Sequence, residues 1–235
     1  MNPNENHGAF PNLYLIGFMG TGKSSSGKLS AQKIGLQFID SDQEIEKTSG
    51  LSIRTIFETQ GEERFREFEK DFILTGHSPS GNLISCGGGL PIPQGMIETL
   101  KSKGMVLCLW ASPESILKRT SGNSSRPLLQ SDDPRNKIEK LLREREERYR
   151  LADRIISTDD KSEQEVADDI SKYYLESLHW IISQISFGLT PGIPVVVGER
   201  GPLPKQMHAS YILTQLNQYS SEQYIQQKYE PWEFF

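Results

Sequence analysis

One octapeptide restricts the fold of this chain more than any other feature. Gly17-Phe18-Met19-Gly20-Thr21-Gly22-Lys23-Ser24 matches G-x-x-x-x-G-K-[ST] in full. It stands between a short apolar run, residues 13–16, and a helix-like run, residues 23–34. In that strand–loop–helix setting the glycines let successive backbone N–H groups turn inward around phosphate oxygens, and the helix N-terminus adds its positive dipole end. Lys23 is spaced to reach β- and γ-phosphates, and the Ser24 hydroxyl to ligate Mg²⁺. A glycine turn that serves only as a tight bend is the bland alternative, and the flanking strand and helix argue against it.

The rest of the chain supports a nucleotide fold. Apolar runs at residues 13–16, 36–39, 82–86, 105–110 and 154–157 read as strands. Between them, residues 53–75, 112–120, 137–151 and 166–178 read as helices; Ile53, Ile56, Phe57, Phe65, Phe68, Phe72 and Ile73 recur at three- and four-residue spacing. Near-continuous apolar strands alternating with helices predict a parallel α/β sheet covered on both faces. The net charge of −5 and the lack of a long Lys/Arg run exclude nucleic acid as a main partner. No stretch approaches the length of a membrane span. Cys86 and Cys108 sit in apolar stretches and are expected to be core thiols of a reducing compartment. The polar residues 1–11 carry no basic-then-apolar leader. A cytoplasmic protein is therefore expected.

Further chemistry-bearing groups follow the loop. Asp40-Ser41-Asp42 ends the second strand, where α/β sheets face their ligand crevice. Its carboxylates point the same way if the chain stays extended, one toward a metal's water shell and one toward an acceptor hydroxyl. Helix N-capping is an equally good reading of the same residues. Arg66 and Glu69 are i,i+3 neighbours that form either an aimed ion pair or a solvated surface pair. Gly87-Gly88-Gly89 permits close backbone approach to a small ligand, or is a plain turn. Arg126-Pro127-Leu128-Leu129 follows the small, polar residues 121–125 and suits a lid bearing one cation. Arg143, Arg145, Arg148 and Arg150 crowd one Glu-rich helix, and spacing does not say which points inward.

Taken together these motifs, in order and spacing, resemble the shikimate kinase family over residues 12–178. They are Gly17 to Ser24; Asp40-Ser41-Asp42; Gly61-Glu62 with Phe65-Arg66 and Glu69; Gly87-Gly88-Gly89; Arg126-Pro127-Leu128-Leu129; and Arg145 four residues before Tyr149, with Ala152-Asp153 beyond. The resemblance implies a three-layer P-loop fold of nucleoside-monophosphate-kinase type with a five-stranded parallel sheet. It also implies transfer of the γ-phosphoryl of ATP to the 3-hydroxyl of shikimate, on the route to chorismate and the aromatic amino acids. By the same resemblance Gly20, Thr21, Gly22, Lys23, Ser24 and Ser25 would cradle ATP, with Ser24 on Mg²⁺ and Asp40 near the metal. Asp42 would hold or deprotonate the reacting hydroxyl. Arg66 and Arg145 would grip the shikimate carboxylate, with Gly88 and Gly89 lining it and Gly88 donating from its backbone. Arg126 would meet the ATP phosphates and the transferred group, Arg119 would lie against adenine, and residues 158–161 would border it. Lys23, Asp42 and Arg126 are thus the expected catalytic residues. Ser25, where the family often has Thr, is a mild departure.

A P-loop kinase for another small hydroxylated acid, or a catalytically silent kinase-like interaction module, are the alternatives. Residues 179–235 lie outside the resemblance. From Ser171 onward the chain holds 11 of its 21 aromatics and only nine charged residues. That is unlike a disordered linker, and an ordered extension is expected, with a short strand at 194–197 and a helix at 208–216. A monomer is the default, with self-association through the extension as its variant.

Overall fold

The computed structural model describes residues 10–121 and 133–188, with side chains to residue 178. Five strands, β1 (Asn12–Ile16), β2 (Gln37–Asp40), β3 (Asn82–Ser85), β4 (Gly104–Trp110) and β5 (Arg154–Ser157), form one sheet in the order β2-β3-β1-β4-β5, and every pairing is parallel. The described helices are α1 (Lys23–Ile34), α2 (Ser41–Ser49), α3 (Ile53–Thr75), α4 (Met96–Lys103), α5 (Pro113–Thr120), α6 (Pro134–Tyr149) and α7 (Glu163–Gly188). This is the α/β P-loop architecture that the alternation of strands and helices predicts.

The strands at the centre explain the apolar runs. Every residue of β1 and β3 is buried, as is the interior of β4, whereas the edge strands β2 and β5 are largely accessible. Helices cover both faces of the middle of the sheet, so side chains pointing either way must be apolar. The connection after β1 leads to one side of the sheet and that after β4 to the other, which opens a crevice at the carboxyl ends of the central strands. Cys86 and Cys108 are buried and unpaired, and burial pushes the Cys108 thiol up to about 12, so neither is poised as a nucleophile.

Two local features depart from the sequence pattern. The apolar spacing of residues 53–75 predicts one helix, but α3 is broken at Gly61, whose φ of 84° and ψ of 172° are open in practice only to glycine. Helix α4 has no counterpart in the sequence reading; it buries Met96, Ile97 and Leu100 in a segment of only eight residues, too short to show a clear period.

The chain divides after Leu175 into two units, and of the second only residues 176–188 are among those described. The strand expected at 194–197, the helix expected at 208–216, and Arg126 with its flanking lid residues lie outside the described residues. Among the described residues no helix is long and apolar enough to cross a membrane.

Candidate active site

Gly22 caps α1 in a left-handed conformation, and the first turn of that helix carries no acidic side chain, so its positive end stays unneutralised. The buried Lys23 folds over the loop, and its ammonium donates to the carbonyls of Gly17 and Phe18, both at 2.8 Å. The Thr21 hydroxyl donates to the Phe18 carbonyl at 2.8 Å, and that of Ser25 to the Gly22 carbonyl at 3.3 Å. The loop is thereby shaped by its own hydroxyls and ammonium.

Of the two readings that the sequence leaves open for Asp40, the structure shows the helix cap. Its Oδ1 caps α2, accepting from the N–H groups of Asp42 (3.1 Å) and Gln43 (3.4 Å). Its Oδ2 accepts from the Ser24 hydroxyl at 2.7 Å. Ser85 Oγ, 3.2 Å from Ser24 Oγ, completes this oxygen cluster; it pairs with Asp40 in the β2–β3 register, a signal that strand ends alone did not supply. The backbone is helical from Ser41 onward, so the extended geometry considered for Asp40-Ser41-Asp42 does not occur. Asp42 instead reaches the site from the first turn of α2.

The glycine triplet is the meeting point. A methyl group added to Gly87 would lie 2.5 Å from Asp42 Oδ1 and 3.1 Å from Glu69 Oε1, and one added to Gly89 would lie 2.5 Å from Arg66 Nη1. These glycines are small because carboxylates and a guanidinium press against them, which is more than a plain turn requires. Gly87 N–H donates to Ser41 Oγ at 2.9 Å, and Leu90 N–H closes the turn onto the Gly87 carbonyl at 3.1 Å. Arg145, half-buried on α6, lies over the Phe18 ring at 5.4 Å and points Nη1 at the Gly88 carbonyl, 3.5 Å away. Arg145 is therefore the arginine of α6 that faces the glycine triplet. The Tyr149 hydroxyl donates to the same carbonyl at 2.8 Å.

Arg66 is no surface residue. Its Nε and Nη2 donate to Glu62 Oε1 at 3.2 and 2.7 Å, and its Nη1 donates to Glu69 Oε2 at 2.5 Å. Among the described residues three of the five guanidinium N–H donors are thus committed. Glu69 Oε1 is buried and has no hydrogen-bond partner among the described residues. Burial raises the Glu69 carboxyl to about 7, more than the neighbouring Arg66 lowers it. Asp42 is also raised, by burial first and then by the Asp40 charge, with Lys23 pulling the other way.

Arg119 reaches across to the loop between β5 and α7. It donates to Thr158 Oγ1 at 2.9 Å, to the Thr158 carbonyl at 2.6 Å, and to the Gly20 carbonyl at 3.3 Å. It therefore ties residues 158–161 to the phosphate loop.

Comparison with known proteins places the chain in a family and a fold. The family model for shikimate kinase matches residues 19–175. A shikimate kinase of Caldanaerobacter subterraneus subsp. tengcongensis is 41% identical over 165 residues, which are 70% of this chain and 96% of the relative. One from Thermodesulfovibrio yellowstonii is 42% identical over 163 residues, 69% of this chain and 94% of the relative. Among solved structures, shikimate kinase from Acinetobacter baumannii in complex with shikimate superposes with a TM-score of 0.67 at 36% identity, covering 72% of this chain and 96% of that one.

Proposed function

Because the chain belongs to the shikimate kinase family, we propose that it transfers the γ-phosphoryl group of ATP to the 3-hydroxyl of shikimate. One observation carries the reading at the level of residues: Asp42, Arg66 and Arg145 converge on the glycine turn Gly87-Gly88-Gly89. A carboxylate for a hydroxyl and two guanidiniums for a carboxylate suit an acceptor that bears both groups.

ATP phosphates lie in the cradle of Gly20, Thr21, Gly22, Lys23, Ser24 and Ser25, where backbone N–H groups and the α1 dipole offset their charge. Lys23 exchanges its two carbonyl partners for phosphate oxygens, a change that its flexible stem permits. The hydroxyl of Ser24 and the carboxylate of Asp40, 2.7 Å apart, are hard oxygen donors of the kind that Mg²⁺ takes directly and through water. Bound there, Mg²⁺ would offset negative charge on the β- and γ-phosphates. Arg119 and residues 158–161 border the adenine side, and the transferred phosphoryl is assigned to Arg126, which lies outside the described residues.

On the acceptor side Arg66 donates to the substrate carboxylate while Glu62 and Glu69 hold its plane. Arg145 and the N–H groups of Gly88 and Gly89 complete that grip. The shikimate hydroxyl donates to Asp42; as its oxygen bonds to the γ-phosphorus, the bond to the ADP oxygen breaks and Asp42 takes the proton. The raised basicity of Asp42 favours that uptake. Catalysis is then mainly positioning and electrostatics, as phosphoryl transfer requires.

We assign this activity to residues 12–178 and treat residues 179–235 as an extension. Two buried, unpaired cysteines support a reducing, cytoplasmic setting. A coupled assay of ADP release tests the function: turnover must depend on shikimate, and ATP hydrolysis indifferent to shikimate would exclude it.

A further inference from the structure

Tyr149 has no role in the reading above, yet its hydroxyl is spent inside the site. The side chain is fully buried, its ring stands edge-on to Trp110 at 6.4 Å, and its hydroxyl donates to the Gly88 carbonyl at 2.8 Å. Arg145 approaches the same oxygen only at 3.5 Å, the outer limit of a hydrogen bond, so the tyrosine is the stronger tether. Among the described residues neither the Gly88 nor the Gly89 N–H donates to a protein acceptor.

The peptide joining Gly88 to Gly89 is planar and trans, so its N–H points opposite to its carbonyl. With the carbonyl held at Tyr149, the Gly89 N–H is turned away from Tyr149. Gly89 itself lies against the Arg66 guanidinium. A peptide between two glycines flips at low cost, because neither flanking residue has a Cβ to resist it. Flipped, it would present an acceptor carbonyl where an anion needs a donor. A flip would also take the carbonyl acceptor away from the buried Tyr149 hydroxyl.

We propose that Tyr149 is a positioning residue for substrate recognition: it locks the Gly88–Gly89 peptide with the N–H toward the substrate carboxylate. This rests on the assignment of that carboxylate to Arg66, Arg145 and the glycine turn.

The test is Tyr149→Phe in the full chain, which keeps the ring and deletes only the hydroxyl. The shikimate KM, and its Kd by calorimetry, should rise roughly 3- to 10-fold, the size of one neutral hydrogen bond. kcat and the ATP KM should stay at wild-type values. Unchanged shikimate affinity, or an equal loss in kcat and both KM values, overturns the proposal. Wild-type protein without shikimate-dependent turnover would instead remove the functional reading beneath it. Should the variant not fold, wild-type amide NMR decides: the Gly89 proton must move downfield on titration with shikimate, and an undisturbed Gly89 amide overturns the lock.

Discussion

Arg66 Nη1 donates to Glu69 Oε2 at 2.5 Å, with the glutamate side chain only 2% exposed and the arginine 26%. The pair is sequestered, and among the described residues its second carboxylate oxygen has no partner. That arrangement has a pH signature. The folded-state value of about 7 lies above the ordinary 4.5, so the folded protein holds the Glu69 proton more tightly than the unfolded chain does. This contribution to stability is complete below about pH 4.5 and is lost as pH rises to about 7, amounting to about 2–4 kcal/mol. Glu69→Gln should flatten that decline, as read from denaturant midpoints at pH 5 and pH 8. Equal declines in variant and wild type would remove Glu69 as the titrating group.

Arg66→Lys keeps the charge but gives up the planar donor set that Glu62, Glu69 and a substrate carboxylate share. The shikimate KM should rise roughly 10- to 100-fold, with the ATP KM unchanged. Steady-state kinetics with each substrate varied in turn checks this. A wild-type shikimate KM would show that the carboxylate binds elsewhere.

Asp42→Asn preserves size and hydrogen bonding to the acceptor hydroxyl but cannot take its proton. kcat should fall roughly 100- to 10,000-fold while ATP binding stays intact. Turnover and nucleotide titration on the same preparation separate the two effects, and undiminished turnover would take Asp42 out of the chemistry.

Gly61→Ala tests the break in α3. A Cβ there meets nothing within 4 Å, so any cost comes from the backbone at φ 84° rather than from a clash. A loss of about 1–3 kcal/mol in unfolding free energy is expected. An unshifted unfolding midpoint would mean that the helix runs through position 61 without penalty.

Parts of the site were legible in hindsight from helix faces. On α6, Ile138, Leu142 and Tyr149 are buried, and Arg145 stands three residues from one and four from another, on the same stripe. Arg143, Arg148 and Arg150 fall off that stripe. Glu69 likewise lies four residues from Phe65 and three from Phe72, both buried on α3, so the apolar period already pointed it inward. Its charge made a surface pair the more economical reading. The helix break at Gly61 left no such trace, because apolar spacing resumes on the far side of it.

The sequence by itself determined the phosphate loop, the order of the five strands and the parallel α/β class. These depend on contacts within a dozen residues: backbone N–H groups beside glycines, a helix that starts at Lys23, apolar runs that must be covered on both faces. The tertiary structure alone decided which charged groups lose water and what they then face. Asp42, Arg66, Gly87-Gly88-Gly89 and Arg145 are scattered over about a hundred residues and come together only where β1, β3 and β4 end. Dehydration there, more than any local pairing, raises the carboxyls of Asp42 and Glu69, since desolvation depends on everything packed around a group.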